Sequence, residues 1–174
     1  MTRRPLVGEP LALDLVNTQW VERGRMVDLF DEPGGLRGWL AEHQLPGDPT
    51  TVEIPVRQAR SALRRILEQP GEDAERGINE ILTRGVVRYT LGQATVHEHH
   101  DVDADWLPSW QAVTNYLDLL RQQPTRIRRC GNPACVLHFY DTSRNGTRRW
   151  CSMDGCGSRA KAARHYQRHR TPNG

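Results

Sequence analysis

The sequence predicts an α+β protein in two modules. The first is mainly helical with a β-hairpin; the second is a small C-terminal four-cysteine finger, itself a hairpin followed by a basic helix. Three observations carry this reading. Apolar residues recur at helical spacing through most of the first 121 positions. All four cysteines lie beyond residue 129, spaced Cys130-x4-Cys135-x15-Cys151-x4-Cys156. Charge breaks sharply: residues 1–120 carry 12 basic and 19 acidic side chains, net −7, whereas residues 121–174 carry 12 basic and 2 acidic, net +10. The break falls near Arg121-Gln122-Gln123-Pro124-Thr125, so the expected modules are 1–121 and 126–170.

With 174 residues, 37% of them hydrophobic and 15 more glycine, the chain can bury a core. No run approaches the roughly 18 apolar residues of a membrane span. The start, Met1 to Glu9, lacks the apolar stretch of a secretion signal. A cytoplasmic protein without membrane contact is the expectation.

Along the first module, residues 9–22 read as a helix with Leu11, Leu15 and Thr18 on one side. Leu36 to Glu42 is a short helix after Pro33-Gly34-Gly35. Pro55 to Glu68 is a third, with Val56, Ala59, Leu63, Ile66 and Leu67 at helical spacing and Pro55 suited to the first turn. Gly71 to Thr83 is a fourth, with Ile78, Ile81 and Leu82 apolar. Val86–Leu91 and Ala94–His97 suggest a hairpin around Gly92. Trp106 to Arg121 is the last helix, with Trp110, Val113, Leu117 and Leu120 inward.

No catalytic assignment follows from this module, so the chain is not read as an enzyme. Asp14 and Asn17, one turn apart, are expected to satisfy nearby backbone groups rather than line a pocket. His97-Glu98-His99-His100-Asp101 could ligate a metal, but consecutive strand residues alternate faces, and the run reads better as a turn. No phosphate loop, nucleophile elbow or carboxylate pair stands out.

The cysteine pairs point to a metal. Four soft ligands in a tetrahedron suit Zn2+, with each close pair supplying two from one turn. Two disulfides, four buried free thiols or an iron centre with the same ligands are the alternatives, the first disfavoured by a reducing compartment. Val136 to Asp141 reads as a strand, Ser143-Arg144-Asn145-Gly146-Thr147 carries an Asn-Gly turn signal, and Thr147 to Trp150 reads as the returning strand. The hairpin would thus join the two knuckles. A helix from about Ser158 to Arg170 follows, stopped by Pro172. About 45 residues make a poor core, so metal binding becomes part of folding. Phe139, Trp150 and Tyr166 are the expected packing around the site.

On that last helix Lys161, Arg164, His165 and Arg168 share one face. Arg144, Arg148, Arg149 and Arg159 add charge nearby, and Arg126, Arg128 and Arg129 precede the first knuckle. A basic face with few acids to neutralise it fits a polyanion, and Arg pairs bidentately with phosphate and with guanine edges. Duplex DNA is the expected partner; an acidic protein surface is the alternative.

Arg129-Cys130-x4-Cys135, Phe139-Tyr140-Asp141-Thr142-Ser143-Arg144-Asn145, Arg148-Arg149-Trp150-Cys151-Ser152-Met153 and Cys156-Gly157-Ser158-Arg159-Ala160-Lys161 together resemble the CGNR zinc-finger family. Its name tetrapeptide, Cys-Gly-Asn-Arg, here reads Cys156-Gly157-Ser158-Arg159. Ser and Asn both cap helix N-termini, so the helix start is expected to survive the change. Leu11-Ala12-Leu13-Asp14-Leu15-Val16-Asn17-Thr18 resembles the ABATE domain that accompanies this finger. The resemblance implies a stress-induced bacterial transcriptional regulator. Its finger would bind DNA, and its first module would sense a small-molecule effector or pair two copies into a homodimer. A protein-interaction adaptor, whose finger docks on an acidic partner, is the second reading.

Overall fold

The structure is a computed structural model and describes residues 4–162. They form two compact units: residues 4–29 join 123–162 in one, and residues 30–122 make the other.

In the discontinuous unit, helix α1 spans Leu11–Val16, and strands β1 (Gln19–Glu22) and β2 (Arg25–Asp28) form an antiparallel hairpin. The helix expected over 9–22 is therefore cut short. Arg23 and Gly24 both take positive φ, 49° and 78°, the tight turn whose twist matches a two-residue hairpin loop. Strands β5 (Ile127–Arg129) and β6 (His138–Tyr140) pair with Arg128 opposite Phe139. The finger does contain a hairpin, but it encloses the first knuckle rather than joining the two. Residues 147–150 form no strand. The loop before them folds on Asp141, whose carboxylate accepts from the backbone N–H groups of Ser143 and Arg148. That loop-closing network occupies the Arg148 N–H, and the segment returns to the β5 side through one backbone bond, from the Gly131 N–H to the Arg149 carbonyl at 2.8 Å.

Trp20, Leu137 and Phe139 pack with the four cysteines into one core, flanked by Leu6, Val27, Leu29 and Trp150. The finger's apolar support thus comes largely from the first 29 residues. A buried ion pair between Arg4 and Asp14 lies in the same unit.

The second unit holds α2 (Gly35–Glu42), α3 (Pro49–Glu68), α4 (Glu72–Leu82), β3 (Gly85–Gly92), β4 (Thr95–Val102) and α5 (Leu107–Gln122). Helix α3 begins six residues earlier than Pro55. Asp48 caps it, accepting from the Thr50 N–H at 2.8 Å, and Pro49 holds the first helical position. Pro55 therefore sits inside the helix and is buried. Val52, Val56, Ala59, Leu63 and Ile66 face Ile78 and Ile81 of α4 and Trp110, Val113, Tyr116 and Leu119 of α5 across the core. On α5 the buried face is rotated slightly from expectation: Leu120 is exposed, and Tyr116 and Leu119 are buried. The hairpin of β3 and β4 turns through Gln93 and Ala94, both at positive φ. The run His97 to Asp101 lies within β4, not in a turn; cross-strand pairing with β3 extends through it.

Candidate metal centre and nucleic-acid interface

The four cysteine sulfurs converge, all within 4.8 Å of one another and all buried. The Sγ–Sγ distances are 3.8 Å for Cys135–Cys151 and 3.6 Å for Cys151–Cys156. A tetrahedral zinc–thiolate centre, with Zn–S near 2.3 Å, has S···S edges of about 3.8 Å. The cysteines are free thiols. Donor type, number, spacing and burial therefore fit a closed four-thiolate metal site.

Each ligand is placed by local structure. Cys130 ends the strand β5 side of the hairpin, its N–H bonded to the Leu137 carbonyl at 2.9 Å. Cys135 closes a turn on Asn132, with N–H to carbonyl at 2.9 Å. Cys151 donates its own N–H to the Cys130 sulfur at 3.4 Å. Cys156 sits in a wide helical turn, Met153–Gly157, capped by the Ser152 hydroxyl, which accepts from the Gly155 N–H. Asn132 and Arg159 both donate to the Cys156 sulfur, at 3.4 and 3.2 Å. Such outer donors orient a thiolate and stabilise its charge. Asn132 follows the first ligand in Cys130-Gly131-Asn132-Pro133, and its side chain reaches the last ligand, a role the sequence reading did not assign.

The thiols are set apart electrostatically. A hydrogen bond from Cys151 holds Cys135 down to about 5. The same bond, with burial and neighbouring sulfurs, pushes Cys151 far above the ordinary thiol range. Burial also raises Cys130, and the bond to Cys156 raises Arg159. A cation bound by all four sulfurs would displace the thiol protons and neutralise the thiolates together.

The arginines divide into two groups. Arg148 is turned inward: its guanidinium lies 4.2 Å over the Phe139 ring, donates to the Cys151 carbonyl at 2.6 Å and pairs with Glu9 at 3.2 Å. Arg126 pins the Asp141 and Ser143 carbonyls, and Arg128 reaches the Thr125 and Arg148 carbonyls. Arg129, Arg144, Arg149, Arg159 and Lys161 are exposed and form no ion pair with a carboxylate among the described residues. Beside the metal centre, Asn132, Arg149, Trp150 and Arg159 line a hollow of about 470 Å³. Phe139 is fully buried, and Trp150 is half-buried with Arg149 over its ring at 5.5 Å. Residues 158–162 are helical, as expected for the basic helix; Arg164, His165, Tyr166 and Arg168 lie outside the described residues.

Ser158 does not act as the expected cap. It has helical backbone angles, and its hydroxyl donates to the Met153 carbonyl at 3.0 Å. Asn17 does satisfy backbone groups, as expected, but they are those of His138: its amide donates to the carbonyl and accepts from the N–H. Glu9, unremarked in the sequence, accepts from the Tyr140 N–H at 2.8 Å. Among the described residues, the cysteines are the one group of His, Cys, Asp or Glu side chains that could hold a metal; His97, His99 and His100 do not converge.

A family model described as "Putative stress-induced transcription regulator", ABATE, matches residues 9–123. The chain belongs to the ABATE family. The CGNR zinc-finger model matches residues 126–169 and takes in all four cysteines. ABATE followed by CGNR is the arrangement the sequence resemblance implied, and neither family description is of an enzyme. No curated protein matches the chain. No helix among the described residues is long and apolar enough to cross a membrane.

Proposed function

We propose that this ABATE protein is a cytoplasmic bacterial transcription regulator that binds duplex DNA through its finger, with Zn2+ held by Cys130, Cys135, Cys151 and Cys156. One observation supports this above others. Residues 121–174 contain only 2 acids against 12 bases, and one of the two, Asp141, is buried. Arg144, Arg149, Arg159 and Lys161 are left to face solvent without acidic partners among the described residues, Arg159 within reach of the Cys156 sulfur. Arg164, His165 and Arg168 would add to this positive charge in the sequence that follows. Zn2+ supplies a fixed, closed scaffold and no reactive position; the protein's own cations do the binding.

The test is selection of bound duplexes from a random pool by zinc-loaded full-length protein, followed by a salt series on the selected sequence. Four phosphate contacts predict a slope of log K against log salt near about −3.6. No duplex binding at about 50 mM salt would reject the reading and favour an adaptor that docks on an acidic protein.

A further inference from the structure

Residues 30–122 carry a second site of different chemistry. Along α3, Ile54, Arg57, Ser61 and Arg65 fall three or four residues apart, on one helical face. Opposite them stand Ala74, Gly77 and Ile81 of α4, followed by Arg84. The facing residues are small at the centre: a Cβ on Gly77 would lie 3.6 Å from that of Ala62. Small residues between longer ones leave an open groove of about 600 Å³ that Trp106 also lines. That volume lies within the usual range of small-molecule sites.

The charge of this groove runs against its surroundings. Residues 30–122 carry 9 basic and 15 acidic side chains, net −6. The groove is lined by three arginines and a single acid, Glu80. Arg57 is already engaged by Asp31 and Glu53, each at 2.9 Å. Arg65 forms no ion pair among the described residues. Arg84 lies 4.6 Å over the Trp106 ring, with Asp103 no closer than 3.9 Å. Two guanidiniums, Arg65 on the α3 wall and Arg84 on the other, therefore have donors to spare beside apolar side chains that include the exposed Ile54 of α3.

We propose that this groove binds a small amphipathic organic anion. Its acid group pairs with Arg65 or Arg84, and its apolar body lies among Ile54, Ala62, Ile81 and Trp106. A cation would meet net positive charge. An inorganic anion would leave the apolar walls wet, and a neutral apolar molecule would leave the guanidiniums unused. The inference is independent of what the finger binds.

Calorimetric titration of the full-length protein tests it, with naphthalene-2-carboxylate and its neutral carboxamide as probes. The carboxylate is expected to bind at one site, at least about ten-fold more tightly than the amide, the worth of a charged hydrogen bond. Arg65→Gln with Arg84→Gln should abolish that preference. Ser61→Phe, an exposed position on the lining, should weaken both probes by obstructing the groove. Equal affinity for the two probes, binding of neither at millimolar concentration, or a preference that survives the double arginine variant overturns the proposal.

Discussion

Asn17 takes both backbone groups of His138, donating to its carbonyl at 2.8 Å and accepting its N–H at 2.9 Å, from 121 residues earlier in the chain. A third strand would normally supply such bonds. Here a side chain from the end of α1, with Glu9 on the Tyr140 N–H, closes the outer edge of β6 and denies it to other chains.

Removing that amide should be costly. Asn17→Ala leaves two buried backbone groups without partners and is expected to cost about 2–4 kcal/mol. Asn17→Asp keeps the acceptor but sets a carboxylate oxygen against the His138 carbonyl, so it should not rescue. Urea unfolding followed by circular dichroism measures both. A loss under about 0.5 kcal/mol for Asn17→Ala would place the edge bonds outside the folding energetics.

The metal centre predicts stoichiometry. Protein purified without added metal should carry one zinc per chain. Cys151→Ser should bring this below about half an equivalent, because a closed site has no spare ligand. Elemental analysis with thiol titration is the measurement; a full equivalent of zinc in Cys151→Ser would reject the ligand set.

Two neighbouring arginines should respond differently to neutralisation. Arg149→Gln is expected to weaken DNA binding across sequences and to make the salt slope shallower by about 1, with little effect on stability. Arg148→Gln removes the cation from the Phe139 face and from the Cys151 carbonyl, so it should destabilise by about 2–3 kcal/mol. Reversal of this pattern would mean that the inward-turned side chain is the DNA contact.

Acid should act through Asp141. Hydrogen bonds from the Ser143 hydroxyl, its backbone N–H and the Arg148 N–H hold its carboxyl below the usual carboxylate range. A folded value below the unfolded one gives stability above the unfolded value that is lost as pH falls through the folded value. Glu9 has the opposite sign: burial raises it, so its contribution is greatest below the usual range and fades as pH rises through its folded value. Asp141→Asn should therefore be less stable at neutral pH and flatter on the acid limb. Thermal unfolding of both proteins from pH 7 downward checks this, and parallel curves would remove Asp141 from the acid response.

The convergence of the four cysteines was legible because their paired spacing lies in one short stretch. Most helices were legible for the same local reason. What escaped was set at a distance. The hairpin partner of β6 lies before the first knuckle, and the returning strand failed because Asp141 gathers the following loop onto its carboxylate. The π-type turn made Ser158 a helical residue instead of a cap. Pro55 looked like a helix start because the Asp48-Pro49 signal stands six residues upstream, outside the apolar periodicity. Arg148 looked like its exposed neighbours until the Phe139 ring and Glu9 were placed around it.

The division of the chain also orders its biogenesis. Residues 4–29 are translated well before their packing partners, which begin at Gln123. At ordinary elongation rates the ribosome needs about 5–20 s to make the intervening segment. Trp20, which packs against Leu137 and Phe139 in the finished protein, spends that interval without this cover. The helical unit can form meanwhile, but the metal-bearing unit can close only once Cys156 has left the exit tunnel. Premature termination after residue 122 would strand an apolar N-terminal segment on an otherwise folded body, a natural target for quality-control proteases.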